Sequence, residues 1–229
     1  MKKYELLLFD LDGTLIDFSV DQKLAFKYAY EKMGYKYTDD VLEQYKKINN
    51  IVWNKLEKGE IKTVADLFEE RCKMFFEIYD INERTDKFNN LLDKGMQKSG
   101  TAFKEVHNIL KKLSEMYKLA IITNGPKSQQ YSRLKNAKIS QYFSYVFVSE
   151  EIGYNKPNIK FFEYMFETLK EKDKTKMLVI GDSLTSDIQG GINAGLDTCW
   201  CNLKYKDNKT LIKPNYEINK LEELLSMLV

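Results

Sequence analysis

Residues 6–15 are Leu6-Leu7-Leu8-Phe9-Asp10-Leu11-Asp12-Gly13-Thr14-Leu15, an apolar run that ends in two carboxylates and a turn glycine. A short run of Leu and Phe is typical of a strand buried on both faces of a parallel sheet. Residues i and i+2 of an extended chain point the same way, so both acids are directed towards one small volume. Crowded carboxylates repel each other, and a divalent cation relieves that repulsion. A strand followed by an ordinary Asp-Gly turn explains the same residues and stays open at this point.

Three further apolar runs end in polar clusters. The first is Leu119-Ala120-Ile121-Ile122, followed by Thr123-Asn124-Gly125. The second is Val146-Phe147-Val148, followed by a segment that reaches Lys156-Pro157. The third is Met177-Leu178-Val179-Ile180, followed by Gly181-Asp182 and then by Asp187. Because the carboxyl ends of parallel strands meet at one edge of a sheet, we expect these side chains to converge on one crevice. Taken singly, the same clusters are common as turns, solvated loops and helix caps.

Composition narrows the class of protein. The 229 residues are 43% hydrophobic and carry a net charge of +2 from 36 basic and 34 acidic side chains, without a block of like charges. This balance argues against a nucleic-acid polymer as partner. The three cysteines, Cys72, Cys199 and Cys201, lack the spacing of a zinc site and suggest a reduced thiol set. No apolar run is long enough for a signal peptide or a membrane span, so we expect a soluble cytoplasmic protein without membrane contact.

The chain changes character twice. Residues 18–99 contain no proline and show apolar side chains at helical spacing, which predicts about four helices. From Thr101 onward, predicted strands and helices alternate, as in a doubly wound parallel sheet. We therefore predict an α/β fold with a Rossmann-like catalytic core formed by residues 1–17 and 100–229. A small all-helical domain, residues 18–99, is inserted after the first strand.

In their order and spacing, the four polar clusters resemble the motifs of the haloacid dehalogenase-like superfamily of phosphatases, and the resemblance spans nearly the whole chain. The helical insertion looks like the cap domain of one branch of that superfamily. Three stretches are most similar to bacterial pyrimidine 5'-nucleotidases that act on non-standard nucleotides: Ile121 to Gly125, Val148 to Gly153, and Gly190 to Leu196 with Thr198-Cys199-Trp200.

The resemblance implies Mg²⁺-dependent hydrolysis of a small phosphate ester, such as UMP, dUMP or dTMP, through an aspartyl-phosphate. Asp10 is then the nucleophile, and Asp12 protonates the leaving oxygen and later deprotonates water. The groups expected to bind the phosphoryl group are Thr123, the backbone around Asn124, and Lys156. The expected metal ligands are Asp10, the Asp12 carbonyl and Asp182, with Asp187 either a ligand or a support for the others.

Substrate specificity is expected to lie in the insertion. Tyr45, Asn49 and Trp53 recur at i, i+4 and i+8 of one helical face, where an aromatic ring and an amide could contact a base, and Phe18 precedes them. The alternative, which we favour, is that this stripe packs in a core. Ser128 and Gln129, after the Thr123 loop, are weaker candidates.

Other functions fit the same residues. A sugar phosphate or phosphoglycolate phosphatase would use the same mechanism. Hydrolysis of a carbon–halogen bond needs no leaving-group acid, so Asp12 argues against it. A receiver-like signalling domain also groups Asp, Thr and Lys around Mg²⁺, but such domains are about half this length and lack the helical insertion. We expect a monomer or homodimer.

Overall fold

The computed structural model describes residues 3–170 and 173–228. The chain divides into two compact units. The first comprises the residues up to Phe18 together with those from Thr101 onward, and the second is Ser19–Gly100. Within the described residues, no helix combines the length and hydropathy needed to cross a bilayer.

The first unit is built on a parallel sheet, which confirms the predicted α/β class. The described residues form six strands in the order β3-β2-β1-β4-β5-β6, and every neighbouring pair is parallel. The strands are β1 (Leu6–Phe9), β2 (Lys118–Thr123), β3 (Tyr145–Val148), β4 (Met177–Gly181), β5 (Asp197–Cys201) and β6 (Tyr216–Ile218).

The second unit is helical. Its described residues fold into α1 (Phe18–Lys32, which starts on the last residue of the first unit), α2 (Asp39–Glu57), α3 (Val64–Ile78) and α4 (Thr85–Lys98). The N-terminus of α2 is capped by Thr38 and that of α3 by Thr63, whose hydroxyls accept hydrogen bonds from backbone N–H groups inside each first turn. The core of this unit is aromatic: Phe26, Tyr45, Phe75 and Phe88 pack ring against ring.

Helices cover the sheet in the first unit. They are α5 (Val106–Ser114), α6 (Lys127–Asn136), α7 (Ser149–Ile152), α8 (Ile159–Leu169), α9 (Gln189–Ala194) and α10 (Glu223–Leu228). One face of β1 contributes Leu7 and Phe9 to a core shared with α5, and the other contributes Leu8 to a core shared with α8. Burial on both faces explains why β1 is a continuous apolar run rather than an alternating one.

The segment before α9 is not an ordinary α-helix. Residues Leu184–Ile188 form a wider π-helical turn, and the hydroxyl of Ser183 accepts a hydrogen bond from the Ser186 N–H at 3.1 Å. Single π-helical turns are frequent at functional sites. Here the turn lies beside the carboxyl end of β4.

A polar cluster lies at the opposite, amino-terminal end of the strands. The Tyr4 hydroxyl donates to Asp197 Oδ2 at 2.6 Å, and Lys3 Nζ lies 2.9 Å from both that oxygen and the Tyr216 hydroxyl. We call these four residues the N-terminal clasp. It ties the segment before β1 to the first residues of β5 and β6.

Candidate active site

Asp10 follows directly after β1 at the carboxyl edge of the sheet. Its backbone N–H donates to the Ile180 carbonyl at 2.8 Å, which continues the pairing of β1 with β4. Asp10 is 7% exposed. Oδ1 accepts a hydrogen bond from Lys156 Nζ at 2.9 Å, and Oδ2 accepts one from the Thr14 hydroxyl at 3.3 Å. The backbone ladder thus fixes where the carboxylate lies, and these two donors fix its orientation.

Lys156 is buried, and its ammonium group has three acceptors. They are Asp10 Oδ1 at 2.9 Å, Asp187 Oδ1 at 2.6 Å and the Ile122 carbonyl at 2.7 Å. Burial alone would lower the pKa of Lys156, but the charges of Asp10 and Asp187 raise it above its ordinary value. The ammonium therefore stays charged and links the ends of β1, β2 and β4.

Three carboxylates meet beside this lysine. Oxygens of Asp10, Asp182 and Asp187 all lie within 4.8 Å of one another. Burial raises the pKa of Asp10 well above its usual range, and the charge of Asp187 adds to that effect, which Lys156 offsets only in part. Burial, followed by the charge of Asp187, raises the pKa of Asp182 to about 7. The negative charge of the three carboxylates is therefore only partly compensated, and a cation would stabilise their ionised form.

Asp187 and Asp182 differ in how they are held. Asp187 is buried, and its oxygens accept from Lys156 Nζ and from the Ser183 N–H at 3.1 Å. A Cβ at Gly181 would lie 2.3 Å from Asp187 Oδ2, so this approach requires glycine. The Asp182 carboxylate is 27% exposed and has Lys206 as a distant ion-pair partner at 4.0 Å. The carboxylate oxygens of Asp182 are consequently more available to a metal ion than those of Asp187.

Asn124 joins two loops of the site. Its side-chain Nδ2 donates to the Lys156 carbonyl at 2.8 Å, and its Oδ1 accepts from the Lys156 N–H at 2.8 Å. The same Nδ2 lies 3.2 Å from the Ser186 hydroxyl. Thr123 is buried beside it, and its hydroxyl accepts from the Gly125 N–H at 3.1 Å. The Asn124 amide holds the Lys156 loop, so only its backbone N–H stays a candidate for phosphate binding.

Asp12 has two partners that sequence reasoning missed. Arg133 forms an ion pair with Oδ1, and Gln130 Nε2 donates to Oδ2 at 2.9 Å. Both lie on α6, the helix that also carries the residues singled out after the Thr123 loop, Ser128 and Gln129, of which Ser128 is exposed and Gln129 buried. The available signal was the spacing Gln130-x-x-Arg133, which puts two long donors on one helical face.

The residues predicted to select substrate lie in different environments. Tyr45 and Asn49 are 2% and 3% exposed. Tyr45 packs on Phe26 at 4.6 Å between ring centroids, and the Asn49 side-chain oxygen accepts from Arg71 at 3.0 Å. This is the environment that the core-packing alternative requires. Trp53 and Phe18 keep partial exposure.

Comparisons with known proteins identify the family of this chain. The family model for haloacid dehalogenase-like hydrolases matches residues 7–201. The chain is 38% identical over 231 residues to YfnB of Bacillus subtilis, a protein whose name assigns it only to hydrolases of this kind, and the match covers 100% of this chain and 97% of YfnB. The crystal structure of magnesium-bound YfnB has a TM-score of 0.90 at 36% identity and covers 99% of each chain.

Two further relatives have names that state an activity. The pyrimidine 5'-nucleotidase PynA of Streptococcus pneumoniae is 33% identical over 226 residues, covering 98% of this chain and 95% of PynA. The pyrimidine 5'-nucleotidase YjjG of Escherichia coli is 31% identical over 226 residues, covering 99% of this chain and 98% of YjjG.

Proposed function

Because this chain belongs to the haloacid dehalogenase-like hydrolases, we propose that it is a Mg²⁺-dependent phosphatase for pyrimidine nucleoside 5'-monophosphates. The substrate class is supported by the names of PynA and YjjG. The observation that carries the chemistry is the buried Asp10 carboxylate, which Lys156 holds at the sheet edge beside Asp182 and Asp187. This arrangement combines a carboxylate nucleophile with a fixed positive charge.

In the first step, an Asp10 carboxylate oxygen forms a bond to phosphorus as the bond between phosphorus and the ester oxygen breaks. The nucleoside leaves as an alcohol because the carboxyl group of Asp12 gives its proton to the departing oxygen. The Lys156 ammonium stabilises negative charge on Asp10 and on the transferring group, and the Thr123 hydroxyl donates to a phosphoryl oxygen.

In the second step, a water oxygen bonds to the phosphorus of the aspartyl-phosphate, and the bond to Asp10 breaks. Asp12, now a carboxylate, takes a proton from that water. Inorganic phosphate leaves, and both acids return to their starting protonation states. One side chain can serve both steps because the leaving oxygen and the attacking water occupy the same side of the phosphorus in turn.

The donor set fits Mg²⁺, which prefers oxygen ligands and usually keeps several waters. Asp10 and Asp182 would hold it with their carboxylates and Asp12 with its carbonyl. Asp187 would orient the group, since both of its oxygens already accept hydrogen bonds. When bound, Mg²⁺ neutralises negative charge on the substrate phosphate and on the carboxylate cluster.

The test is release of inorganic phosphate from UMP, dUMP, dTMP, AMP, phosphoglycolate and several sugar phosphates, each with Mg²⁺ and with chelator. We expect the pyrimidine monophosphates to be hydrolysed fastest, chelator to abolish turnover, and Asp10→Asn to be inactive. Asp207→Asn, which changes an exposed acid of the same unit, is the matched control. Faster hydrolysis of sugar phosphates or phosphoglycolate would overturn the substrate class. Turnover by Asp10→Asn would overturn the mechanism.

A further inference from the structure

Both carboxylate oxygens of Asp12 are held by side chains of α6. Arg133 forms the ion pair with Oδ1, and Gln130 Nε2 donates to Oδ2 at 2.9 Å. The Asp12 side chain is 24% exposed, whereas that of Arg133 is fully buried. A carboxylate with a partner on each oxygen has little freedom to rotate, even though one side of it faces solvent.

The supporting residues are built into the fold. Gln130 and Arg133 are three residues apart on α6, so both side chains reach the same point. A Cβ at Gly125 would lie 1.8 Å from Gln130 Nε2, so the glycine of the Thr123 loop makes room for this amide. The ring of Phe18 lies 5.7 Å from the Arg133 guanidinium, a cation–π distance.

A buried guanidinium is costly unless a partner compensates its charge. Lys156 faces Asp10 and Asp187, while Arg133 faces Asp12. The site therefore provides each of its two reactive acids with its own buried cation. The always-charged guanidinium of Arg133 compensates the charge of Asp12, and Gln130 Nε2 supplies the directional hydrogen bond to the same carboxylate.

We propose that Arg133 and Gln130 are positioning residues that hold the Asp12 carboxyl group where it transfers protons to the leaving oxygen and from water. The proposal rests on the proposed function. It assigns the two residues no contact with substrate: they act through Asp12 alone. Proton transfer depends steeply on distance, and a displacement of about 1 Å can lower a rate about 100-fold.

The leaving group separates this effect from a general loss of structure. UMP releases an alkoxide that needs a proton, whereas p-nitrophenyl phosphate releases a stable phenolate that does not. With Asp12 misplaced, the first step on UMP should slow, and the first step on p-nitrophenyl phosphate should not. The second step, which needs Asp12 as a base, should slow for both substrates.

The experiment compares Arg133→Lys, Arg133→Met and Gln130→Leu with wild type and with Arg84→Met, which changes an exposed arginine of the second unit. We expect UMP turnover to fall about 100-fold in the Arg133 variants. With p-nitrophenyl phosphate in stopped flow, we expect a rapid burst of about one phenolate per enzyme, followed by slow turnover. Arg133→Lys keeps the positive charge and removes the guanidinium plane, so it tests geometry even where Arg133→Met does not fold.

Equal losses on the two substrates without a burst would show a merely structural role and overturn the proposal, as would UMP turnover within twofold of wild type in all three variants. Wild-type turnover of UMP is measured first and reports on the proposed function alone. If wild type hydrolyses another phosphate ester faster than UMP, that ester replaces UMP as the substrate with an alkoxide leaving group. The effects of the substitutions are expressed relative to wild type, so failure of the substrate assignment and failure of the positioning proposal give different results.

Discussion

Replacing Lys156 by methionine removes the ammonium that contacts both Asp10 and Asp187. Methionine has nearly the same length and volume, so little space is left empty. What is lost is charge compensation: two buried carboxylates then face each other without a cation, and the Ile122 carbonyl loses its donor. We expect the substitution to destabilise the first unit even though it places an apolar side chain in a buried position.

The magnitude follows from the three contacts. Removing one partner of a buried ion pair costs about 3–5 kcal/mol, because the remaining charge stays buried. Here one cation serves two carboxylates at 2.9 and 2.6 Å, which places the expected loss at the upper end of that range. Mg²⁺ should restore part of it, since a ligand that binds only the folded state stabilises that state.

Urea unfolding at neutral pH, with chelator and with Mg²⁺, measures the effect. Trp200 reports on the first unit, because its Nε1 donates to the Asp182 carbonyl at 2.9 Å. Trp53 lies in the second unit, so the measurement is made in a Trp53→Phe background. Lys135→Met, which changes an exposed lysine of the same unit, is the matched control. A loss below about 0.5 kcal/mol for Lys156→Met in chelator, the scale of an ordinary surface change, would refute the reasoning.

Three further changes are predicted. Asn124→Ala should lower the free energy of unfolding by about 1–3 kcal/mol in the same urea assay, because the Lys156 backbone loses both amide partners. Gly181→Ala should weaken Mg²⁺ binding about 10–100-fold by calorimetry, because the new Cβ displaces Asp187; unchanged affinity would contradict the orienting role. In the N-terminal clasp, burial alone would raise the pKa of Asp197. The hydrogen bonds from Tyr4 and Lys3 outweigh this effect, so the pKa of Asp197 lies below its ordinary value. Its contribution to stability is therefore present above the unfolded carboxyl pKa of about 4 and is lost as pH falls through the folded value. Asp197→Asn should accordingly make the free energy of unfolding, measured by circular dichroism, less dependent on pH in the acid range. An unchanged pH dependence would show that the N-terminal clasp does not stabilise the fold.

Much of the fold follows from local pattern. The four apolar runs before Asp10, Thr123, Ser149 and Asp182 are strands in the structure, because a strand buried on both faces has a distinctive continuous pattern. Parallel pairing then brings their carboxyl ends together, and the polar residues that follow them meet as expected.

Side-chain partners could not be predicted in the same way. The spacing of Tyr45 and Asn49 is the same for a binding face and for a core face, and only the packing of α3 and α4 against α2 distinguishes them. Arg133 was missed because its spacing from Gln130 predicts a shared helical face but not which group that face meets. Its partner Asp12 is remote in sequence, so the ion pair exists only once the fold brings α6 to the loop after β1.

The central position of β1 has a consequence for synthesis of the chain. Leu6–Phe9 is synthesised before the other strands of the sheet, yet its neighbours are β2 and β4, and β4 ends at Gly181. At about 5–20 residues per second, roughly 170 residues separate the strand from its last neighbour, a wait on the order of ten to thirty seconds. The second unit has a core formed between Phe26 and Leu92 and needs no strand of the sheet for it. The segment that ends in Asp10 therefore stays without its sheet neighbours for longer during synthesis than any later strand of the sheet.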